Sequence, residues 1–415
     1  MELSQEIQYI RGLAEETNEY AHSDLMQKRR KDWTAHNSLH FTHPLVYVRA
    51  IPFDEFMPES EYKCTSPLLR KLEREFLLNR YRMQLDDDYI IEPYYLMRAE
   101  FPKGQKEAPF GLPISLSEKV QVGGSSAYKP TLLEEEDTRK LFVPDYGIDE
   151  EKTRENYIQL KEILGDSLPV CVDYKPLLCD MGLMDVCCPL AKMRGLEQLL
   201  WDVYDSPEWL EQVVDWMTEQ VLRQIDQCAS AGKFLKISHQ NQAMPYSEEL
   251  GGPENDGVSV QPSELWAFSS AQEMTMFGPE MFEQFMFRYQ QKVLERFGLV
   301  AYGCCEDITQ KIPVIKQLKN LRRIAVSPFS DTRSCAEQIG NEYVLSWRPN
   351  PSSAVSFGID EDYVRKELRE TFSIMDENHC VFDITLKDVE TVSGKRDTII
   401  RWSKVVREEI LRHYG

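Results

Sequence analysis

The sequence predicts an α/β protein of the (β/α)8, or TIM-type, barrel class. Eight short apolar segments are spread along the 415 residues, and amphipathic helical patterns follow most of the later ones. Single strands that alternate with helices form a parallel sheet, and eight such units are the number that closes into a barrel. We expect residues 44–415 to form this barrel and residues 1–43 to form a helical extension before it.

The predicted strands are residues 45–50, 89–94, 168–174, 234–239, 299–302, 323–327, 343–347 and 381–386. The predicted helices between and after them are residues 196–203, 207–228, 279–297, 331–339, 360–375 and 396–413. In the helix at 279–297, apolar residues recur at positions i, i+3, i+4 and i+7 counted from Phe282, which is the spacing of one buried helical face. In the extension, apolar residues from Leu3 to Leu13 have a comparable spacing.

Two long segments, residues 102–149 and 240–262, show neither pattern and are predicted to be loop insertions in the barrel. The second follows the fourth predicted strand and contains Gly251, Gly252 and Pro253. Loops of this length in a compact domain are usually functional or mobile. We expect residues 240–262 to lie at the carboxyl ends of the strands and to act as a lid.

Composition excludes several classes of function. The chain has 48 basic and 69 acidic residues and a net charge of −21, which argues against nucleic acid as a partner because phosphate binding needs a basic face. No apolar run approaches 18 residues, and the first residues are acidic, so neither a membrane span nor a signal peptide is predicted. We expect a cytoplasmic protein whose ten cysteines are reduced thiols.

The segment 299–309 is the richest in chemistry. An apolar run ends there at two adjacent cysteines and a glutamate, and in a barrel the carboxyl ends of all strands open onto one face. The residues that could bind Zn²⁺ at that face with an open position for substrate are Cys304, Cys305, Glu306, His239 and Glu390. Adjacent strand residues point to opposite faces, so one of the two thiols is expected in the opening; alternatively, both only fill the barrel mouth.

Other strand-end residues are candidates for catalysis and substrate binding. The candidate catalytic residues are Tyr302, His239, Lys387 and Asp388. A lysine at an apolar strand end needs a partner, since its burial is otherwise costly; Asp388 or Glu390 could supply one. The candidate substrate-binding residues are Tyr94, Tyr174, Asn241, Trp266, Trp347 and Arg348. The aromatic members suit an apolar pocket for a planar ligand, although Trp266 could instead pack the insertion onto the barrel.

Several motifs in order resemble the uroporphyrinogen decarboxylase superfamily. They are Pro-Val-Cys-Val-Asp-Tyr at 169–174, Tyr-Gly-Cys-Cys-Glu-Asp at 302–307, Ser-Trp-Arg-Pro-Asn-Pro at 346–351 and Leu-Lys-Asp-Val-Glu at 386–390. The resemblance covers roughly residues 140–415 and implies a (β/α)8 barrel with an N-terminal helical extension. It also implies one of two activities: decarboxylation of a tetrapyrrole, or zinc-dependent methyl transfer involving a corrinoid protein.

The chain resembles the corrinoid-dependent methyltransferase branch more closely than the tetrapyrrole decarboxylases. The decarboxylases carry an arginine-rich loop after the first strand, where this chain has only Arg49. The methyltransferases typically carry His-x-Cys at the fifth strand, and here Tyr302 stands in the place of the histidine before Cys304. Glu390 stands near the place of a further cysteine ligand, so the resemblance implies a zinc site with an altered ligand set.

We therefore expect a methyltransferase that moves a methyl group between a small methylated substrate, such as a methoxylated aromatic compound, and cobalamin carried by a partner corrinoid protein. Zinc would act as a Lewis acid on the substrate heteroatom. The partner would dock on apolar strand-end loops, so some of Leu177, Leu183, Met184 and Phe329 should be exposed. One alternative is a metal-free decarboxylase or lyase in which Arg49, Arg348 and Lys387 hold carboxylates. Another is a non-catalytic corrinoid-binding barrel.

Overall fold

The computed structural model describes residues 2–116 and 127–415. Its strands are β1 (Leu45–Val48), β2 (Tyr95–Arg98), β3 (Ser115–Leu116), β4 (Tyr128–Lys129), β5 (Val170–Asp173), β6 (Trp266–Ser269), β7 (Leu299–Tyr302), β8 (Leu321–Val326), β9 (Val344–Trp347) and β10 (Val381–Leu386). The insertion predicted at 102–149 lies partly outside the described residues, and its described part contains the short antiparallel pair β3–β4.

The helices surround these strands. They are α1 (Leu3–His22), α2 (Asp24–Asn37), α3 (Phe53–Phe56), α4 (Pro67–Arg82), α5 (Glu150–Leu164), α6 (Cys187–Arg194), α7 (Leu196–Asp205), α8 (Pro207–Ser230), α9 (Pro279–Phe282), α10 (Arg288–Leu294), α11 (Ile312–Ile315), α12 (Thr332–Ile339), α13 (Pro351–Ala354), α14 (Glu361–Glu377) and α15 (Thr398–Tyr414). A π-helical turn, Glu283–Phe287, joins α9 to α10. Within residues 2–116 and 127–415, no helix combines the length and apolar character needed to cross a bilayer.

The predicted α/β class is confirmed. Six parallel strands form the main sheet in the order β1-β10-β9-β8-β7-β6, and β2 pairs with β5 in a separate parallel pair. Outward-facing residues of β10, such as Phe382 and Ile384, join a large apolar cluster with the surrounding helices. Residues of the opposite face, such as Asp383 and Lys387, are polar and make the contacts described below.

The second predicted strand is wrong in its position. Residues 89–94 are irregular, and the strand begins at Tyr95. The chain before it is held beside β1 by a side chain: the Asp88 carboxylate accepts a hydrogen bond from Val46 N at 2.7 Å, and Asp88 N donates to Val46 O at 2.6 Å. An aspartate that binds backbone groups competes with strand pairing, which sequence periodicity does not reveal.

The fourth predicted strand, residues 234–239, is also wrong. Leu235 makes only an isolated bridge with Ser259, and the strand at this place in the fold is β6, which begins 27 residues after His239. The Ser238 hydroxyl accepts from Leu235 N at 3.3 Å and donates to the Asp173 carboxylate at 2.7 Å. These side-chain bonds hold the segment as a turn beside β5.

Residues 240–262 therefore precede a strand instead of following one, and the expected lid is wrong. Leu250 packs with Trp266 and Leu299, the first residues of β6 and β7, and the Glu249 carboxylate pairs with Arg322 at the start of β8 at 2.5 Å. Most of this loop covers the amino edge of the main sheet. Its beginning is the exception, because Gln242 reaches the other edge.

The amino edge is also covered by α2, the second helix of the N-terminal extension. The Arg323 guanidinium donates to the Asn37 side-chain oxygen at 2.7 Å and to the Asp383 carboxylate at 2.6 Å. His36 lies 3.2 Å from the same carboxylate. The end of α2 thus fills the amino edge with a buried polar cluster formed by His36, Asn37, Arg323 and Asp383, which we call the amino-edge cluster.

Candidate functional site

A cavity of about 550 Å³ lies at the carboxyl edge of the main sheet. It is lined by Arg49, Ala50, Met181, Gly182, Asp185, Cys188, Lys192, Gln242, Phe268, Ser270, Gln272, Cys304, Cys305, Lys387 and Asp388. Nine of these residues lie within three positions of the end of β1, β6, β7 or β10, and five others lie in the connection after β5 and in α6. The loops after five strands converge there, which is where parallel α/β sheets bind ligands.

The two cysteines both line this cavity. Strand β7 ends at Tyr302, and Gly303 then turns the chain with a φ of +99°, a backbone conformation that favours glycine. A Cβ at this position would also lie only 3.1 Å from Ala325 O. After this turn the strand alternation no longer applies. The Cys304 and Cys305 sulfurs lie 3.5 Å apart on the same side, so the expectation that one thiol faces away from the opening is wrong.

Lys387 lies against both sulfurs. Its ammonium Nζ is 2.8 Å from Cys304 Sγ and 3.1 Å from Cys305 Sγ, and the residue is only 7% exposed. Asp388 pairs with the same ammonium at 3.3 Å but is itself more than half exposed. The sulfur pair is therefore the main partner of this buried cation, with Asp388 as the second.

These contacts favour the thiolate form of Cys304. The hydrogen bond from the Cys305 thiol and the charges of Lys387 and Arg348 lower the pKa of Cys304 well below that of an ordinary thiol. The pKa of Cys305 is raised because its proton is held in that same hydrogen bond. The pair behaves as one anion that shares one proton, and a thiolate is the nucleophilic form of cysteine.

Arg348 supports this pair from behind. Its buried guanidinium donates to the Cys304 backbone oxygen and, at 2.6 Å, to Gln242 Oε1. The Gln242 amide in turn donates to Cys304 Sγ at 3.5 Å. Sequence reasoning missed Gln242, since the misplaced fourth strand assigned it to a lid.

Asp185 is a buried carboxyl group that lines the cavity. Desolvation, with the nearby charge of Glu273, raises its pKa to about 8. Its carboxyl accepts from Cys188 N at 3.1 Å and from the Ser270 hydroxyl at 3.4 Å. Near neutral pH this carboxyl is protonated. Sequence alone did not select it, because nothing in the pattern shows that a loop aspartate is desolvated.

Glu306 lies behind the cavity. Its buried carboxylate accepts backbone hydrogen bonds from Cys304 N at 2.8 Å and Ala271 N at 3.0 Å. Desolvation raises its pKa. Both oxygens bind amides of the two loops that carry Ser270 and Cys304, so Glu306 positions those loops.

Two of the four candidate catalytic residues lie away from the cavity. Tyr302 faces the helices between Phe282 and Phe287, and its hydroxyl donates to Gln290 Oε1 at 2.5 Å. His239 is partly buried, and its Nδ1 accepts from Trp266 N at 3.1 Å, at the amino edge. Desolvation lowers its pKa to about 3, so it stays neutral. Lys387 and Asp388 are the two that line the cavity.

The candidate substrate-binding residues do not line this cavity. Tyr94 and Tyr174 border two other cavities. Trp266 packs on Leu250, as the alternative reading of that residue expected, and Trp347 belongs to the apolar cluster beneath the helices. The Asn241 side chain accepts a hydrogen bond from Ala243 N at 3.2 Å. The expectation that some of the predicted docking residues are exposed is confirmed: Phe329 is 74% exposed and Leu183 is partly exposed, whereas Leu177 and Met184 are buried.

The predicted zinc ligands are not brought together. In the part of the chain that the structure describes, no group of three or more His, Cys, Asp or Glu side chains could hold a metal ion. The two sulfurs bind Lys387, and Glu306 binds backbone amides. His239 lies at the amino edge, and Glu390 is exposed. This arrangement does not fit zinc, because a cation of the protein already lies between the two sulfurs.

Comparison with protein-family models found no match, and comparison with curated proteins found none either. A solved structure is similar: a methyltransferase from Methanosarcina mazei has 11% sequence identity and a TM-score of 0.50, with 93% of this chain and 99% of that chain covered. At this identity the likeness concerns the fold.

Proposed function

We propose that this protein is a methyltransferase that acts at the cavity beside Cys304, Cys305 and Lys387. The observation that carries the proposal is the ammonium of Lys387 held between two sulfurs at the carboxyl edge of a sheet. The class of reaction comes from the methyltransferase that shares the fold. In the proposal the methyl donor is a small molecule, and the acceptor is a corrinoid carried by a partner protein. We further propose that β2, β5 and the irregular segments beside them complete a (β/α)8 barrel.

In this proposal Lys387 supplies the positive charge that sequence reasoning assigned to zinc. The sulfurs of Cys304 and Cys305 and the carboxylate of Asp388 hold this ammonium in place. A fixed cation beside a methyl-bearing oxygen or nitrogen stabilises the negative charge that develops as the bond to the methyl carbon breaks. The carboxyl of Asp185, protonated near neutral pH, donates a proton to that heteroatom.

The cavity also revises the expected substrate. Phe268 is the only aromatic side chain among its lining residues, and most of the others are polar or charged. The four aromatic residues that suggested a methoxylated aromatic substrate lie elsewhere. A small, polar methyl donor therefore suits this cavity better.

The test is a methyl-transfer assay with reduced free cobalamin as the acceptor and methanol, methylamines and methoxybenzoates as donors. We expect turnover of at least one small donor and a loss of roughly 100- to 1,000-fold in Lys387→Met, the range for removing one transition-state donor. Lys366→Met, an exposed lysine on α14, is the matched control. No turnover of any donor, or equal turnover in both variants, would contradict the proposal.

A second candidate is a metal-free decarboxylase, because Arg49 and Lys387 line the same cavity as the protonated Asp185. Two cations can hold a carboxylate, and the acid can protonate the carbon left by the departing CO₂. Release of labelled CO₂ from small carboxylic acids, with loss in Arg49→Met and no methyl transfer, would favour this candidate over the first.

A further inference from the structure

We infer that Cys304 and Cys305 form a site of reversible oxidation, at which a hydroperoxide converts the two thiols into a disulfide between neighbouring residues. The inference concerns the thiols themselves and holds whichever reaction the cavity supports. It rests on three observations: the separation of the sulfurs, the cation beside them and their accessibility.

The separation allows the bond with a local movement. The sulfurs lie 3.5 Å apart, and a disulfide needs about 2.0 Å. Both residues are in an irregular bend after Gly303, outside any helix or strand, so rotation there breaks no ladder. The approach of about 1.5 Å can come from side-chain and peptide rotation in this bend.

The cation makes the pair reactive. Thiolates, and not thiols, attack peroxides, and the Lys387 ammonium at 2.8 Å from Cys304 Sγ favours the thiolate. The same ammonium can stabilise the hydroxide that leaves from the peroxide.

Accessibility makes oxidation selective for these two cysteines. Among the ten cysteines, Cys304 and Cys305 are the two that are partly exposed, and the other eight are buried. Burial keeps thiols protonated and out of reach of oxidants. Cys188 lines the same cavity but is buried, and desolvation raises its pKa to about 12.

The reaction balances in two steps. The Cys304 thiolate attacks one peroxide oxygen: the S–O bond forms, the O–O bond breaks, and the leaving oxygen takes a proton from solvent to become water or an alcohol. The Cys305 sulfur then attacks the sulfur of the resulting sulfenic acid. The S–S bond forms, and hydroxide leaves and takes the Cys305 proton as water. Two thiols are oxidised by two electrons, and one hydroperoxide is reduced.

The product should be easily reduced. The Cα atoms of adjacent residues are about 3.8 Å apart across a trans peptide, whereas most disulfides join Cα atoms about 4.4–6.8 Å apart. Strained disulfides have high reduction potentials and are the labile ones. Oxidation would also remove the thiolate beside Lys387 and would leave Asp388 as its anionic partner.

The test is intact-mass and peptide-mass analysis of the full chain after treatment with equimolar hydrogen peroxide. We expect a loss of about 2 Da, located in the peptide that contains both cysteines, and its reversal by dithiothreitol. In Cys305→Ser the resolving sulfur is absent, so Cys304 should instead gain about 16 or 32 Da. In Lys387→Met the reaction should be at least about tenfold slower.

Cys188→Ser is the matched control, because Cys188 lines the same cavity, and it should still lose about 2 Da. Two results would overturn the inference. One is a wild-type protein that gains oxygen on Cys304 without losing hydrogen. The other is a disulfide that maps to Cys188 and disappears in Cys188→Ser. Circular dichroism of each variant confirms that it is folded before the reaction is measured.

Discussion

The two edges of the main sheet carry buried charges in different ways. At the amino edge, the Asp383 carboxylate receives hydrogen bonds from Arg323 at 2.6 Å, Ser346 at 2.8 Å and Thr385 at 3.1 Å. At the carboxyl edge, Lys387 and the sulfur pair border an open cavity. A charged cluster whose groups satisfy one another stabilises a fold, whereas one that faces a cavity keeps capacity for a ligand.

Strand β10 contributes to both clusters. Asp383 lies in β10 and Lys387 follows that strand, four positions along the chain and on the same face. The alternation of polar and apolar side chains along the strand therefore does not distinguish the two residues. What differs is the covering: α2 and residues 240–262 cover the amino edge, and the loops at the other edge leave a cavity.

The largest expected effect is the loss of the amino-edge cluster. Asp383→Asn removes the anion that neutralises Arg323, and breaking a buried ion pair on one side costs about 3–5 kcal/mol. Urea unfolding monitored by circular dichroism measures this loss in free energy of unfolding. Asp376→Asn, an exposed partner of His413, should cost less than about 1 kcal/mol. Similar losses in both variants would remove the distinction between the two edges.

The cluster also sets a pH dependence. Burial would raise the pKa of Asp383, but the Arg323 charge and the hydrogen bonds from His36 and Ser346 lower it. Its stabilisation is therefore present above the unfolded pKa of about 3.9 and is lost as the pH falls through the lower folded value. Asp383→Asn should abolish that part of the acid sensitivity.

An intermediate effect is expected at the carboxyl edge, on reactivity more than on stability. Lys387→Met removes the cation beside the thiolate, so the pKa of Cys304 should rise toward that of a free thiol, about 8.5. Wild-type alkylation by iodoacetamide should change little between pH 6 and 8, whereas the variant should slow by about tenfold per pH unit below its new pKa. Lys366→Met should behave as wild type. Parallel dependences of the alkylation rate on pH in wild type and Lys387→Met would show that Lys387 does not stabilise the thiolate.

The last expected effect concerns Asp185 and appears only as the pH rises. Its folded pKa of about 8 lies above the unfolded value of about 3.9. The folded state therefore holds a proton that the unfolded state releases, and stability falls as the pH rises between these two values. Asp185→Asn should remove this fall, so its stability relative to wild type should be higher at pH 9 than at pH 5, by about 1.4 kcal/mol for each pH unit between pH 5 and the folded pKa. An unchanged difference between the two proteins at pH 5 and pH 9 would contradict a buried, protonated carboxyl.

The sequence predicted the α/β class because apolar strands and amphipathic helices alternate over long stretches, as at Pro279–Phe282 through Arg288–Leu294. It misplaced two strands where Asp88 and Ser238 bind backbone groups, since side-chain hydrogen bonds leave no periodic signal. It found Cys304, Cys305 and Lys387 because polar residues at strand ends are visible in one dimension. It could not assign Lys387 to the sulfurs, Tyr302 to the helices or Gln242 to the cavity, because those contacts join distant segments.

Glu306 links two walls of the cavity, since its carboxylate receives amides from the loops after β6 and β7. Because one carboxylate binds both loops, an insertion in one loop would displace the other loop as well. In related sequences, changes in residues 270–278 should therefore covary with changes in residues 303–306. A lineage that replaced Glu306 by a residue unable to accept two amides would free the loops to diverge separately, and with them the shape of the cavity.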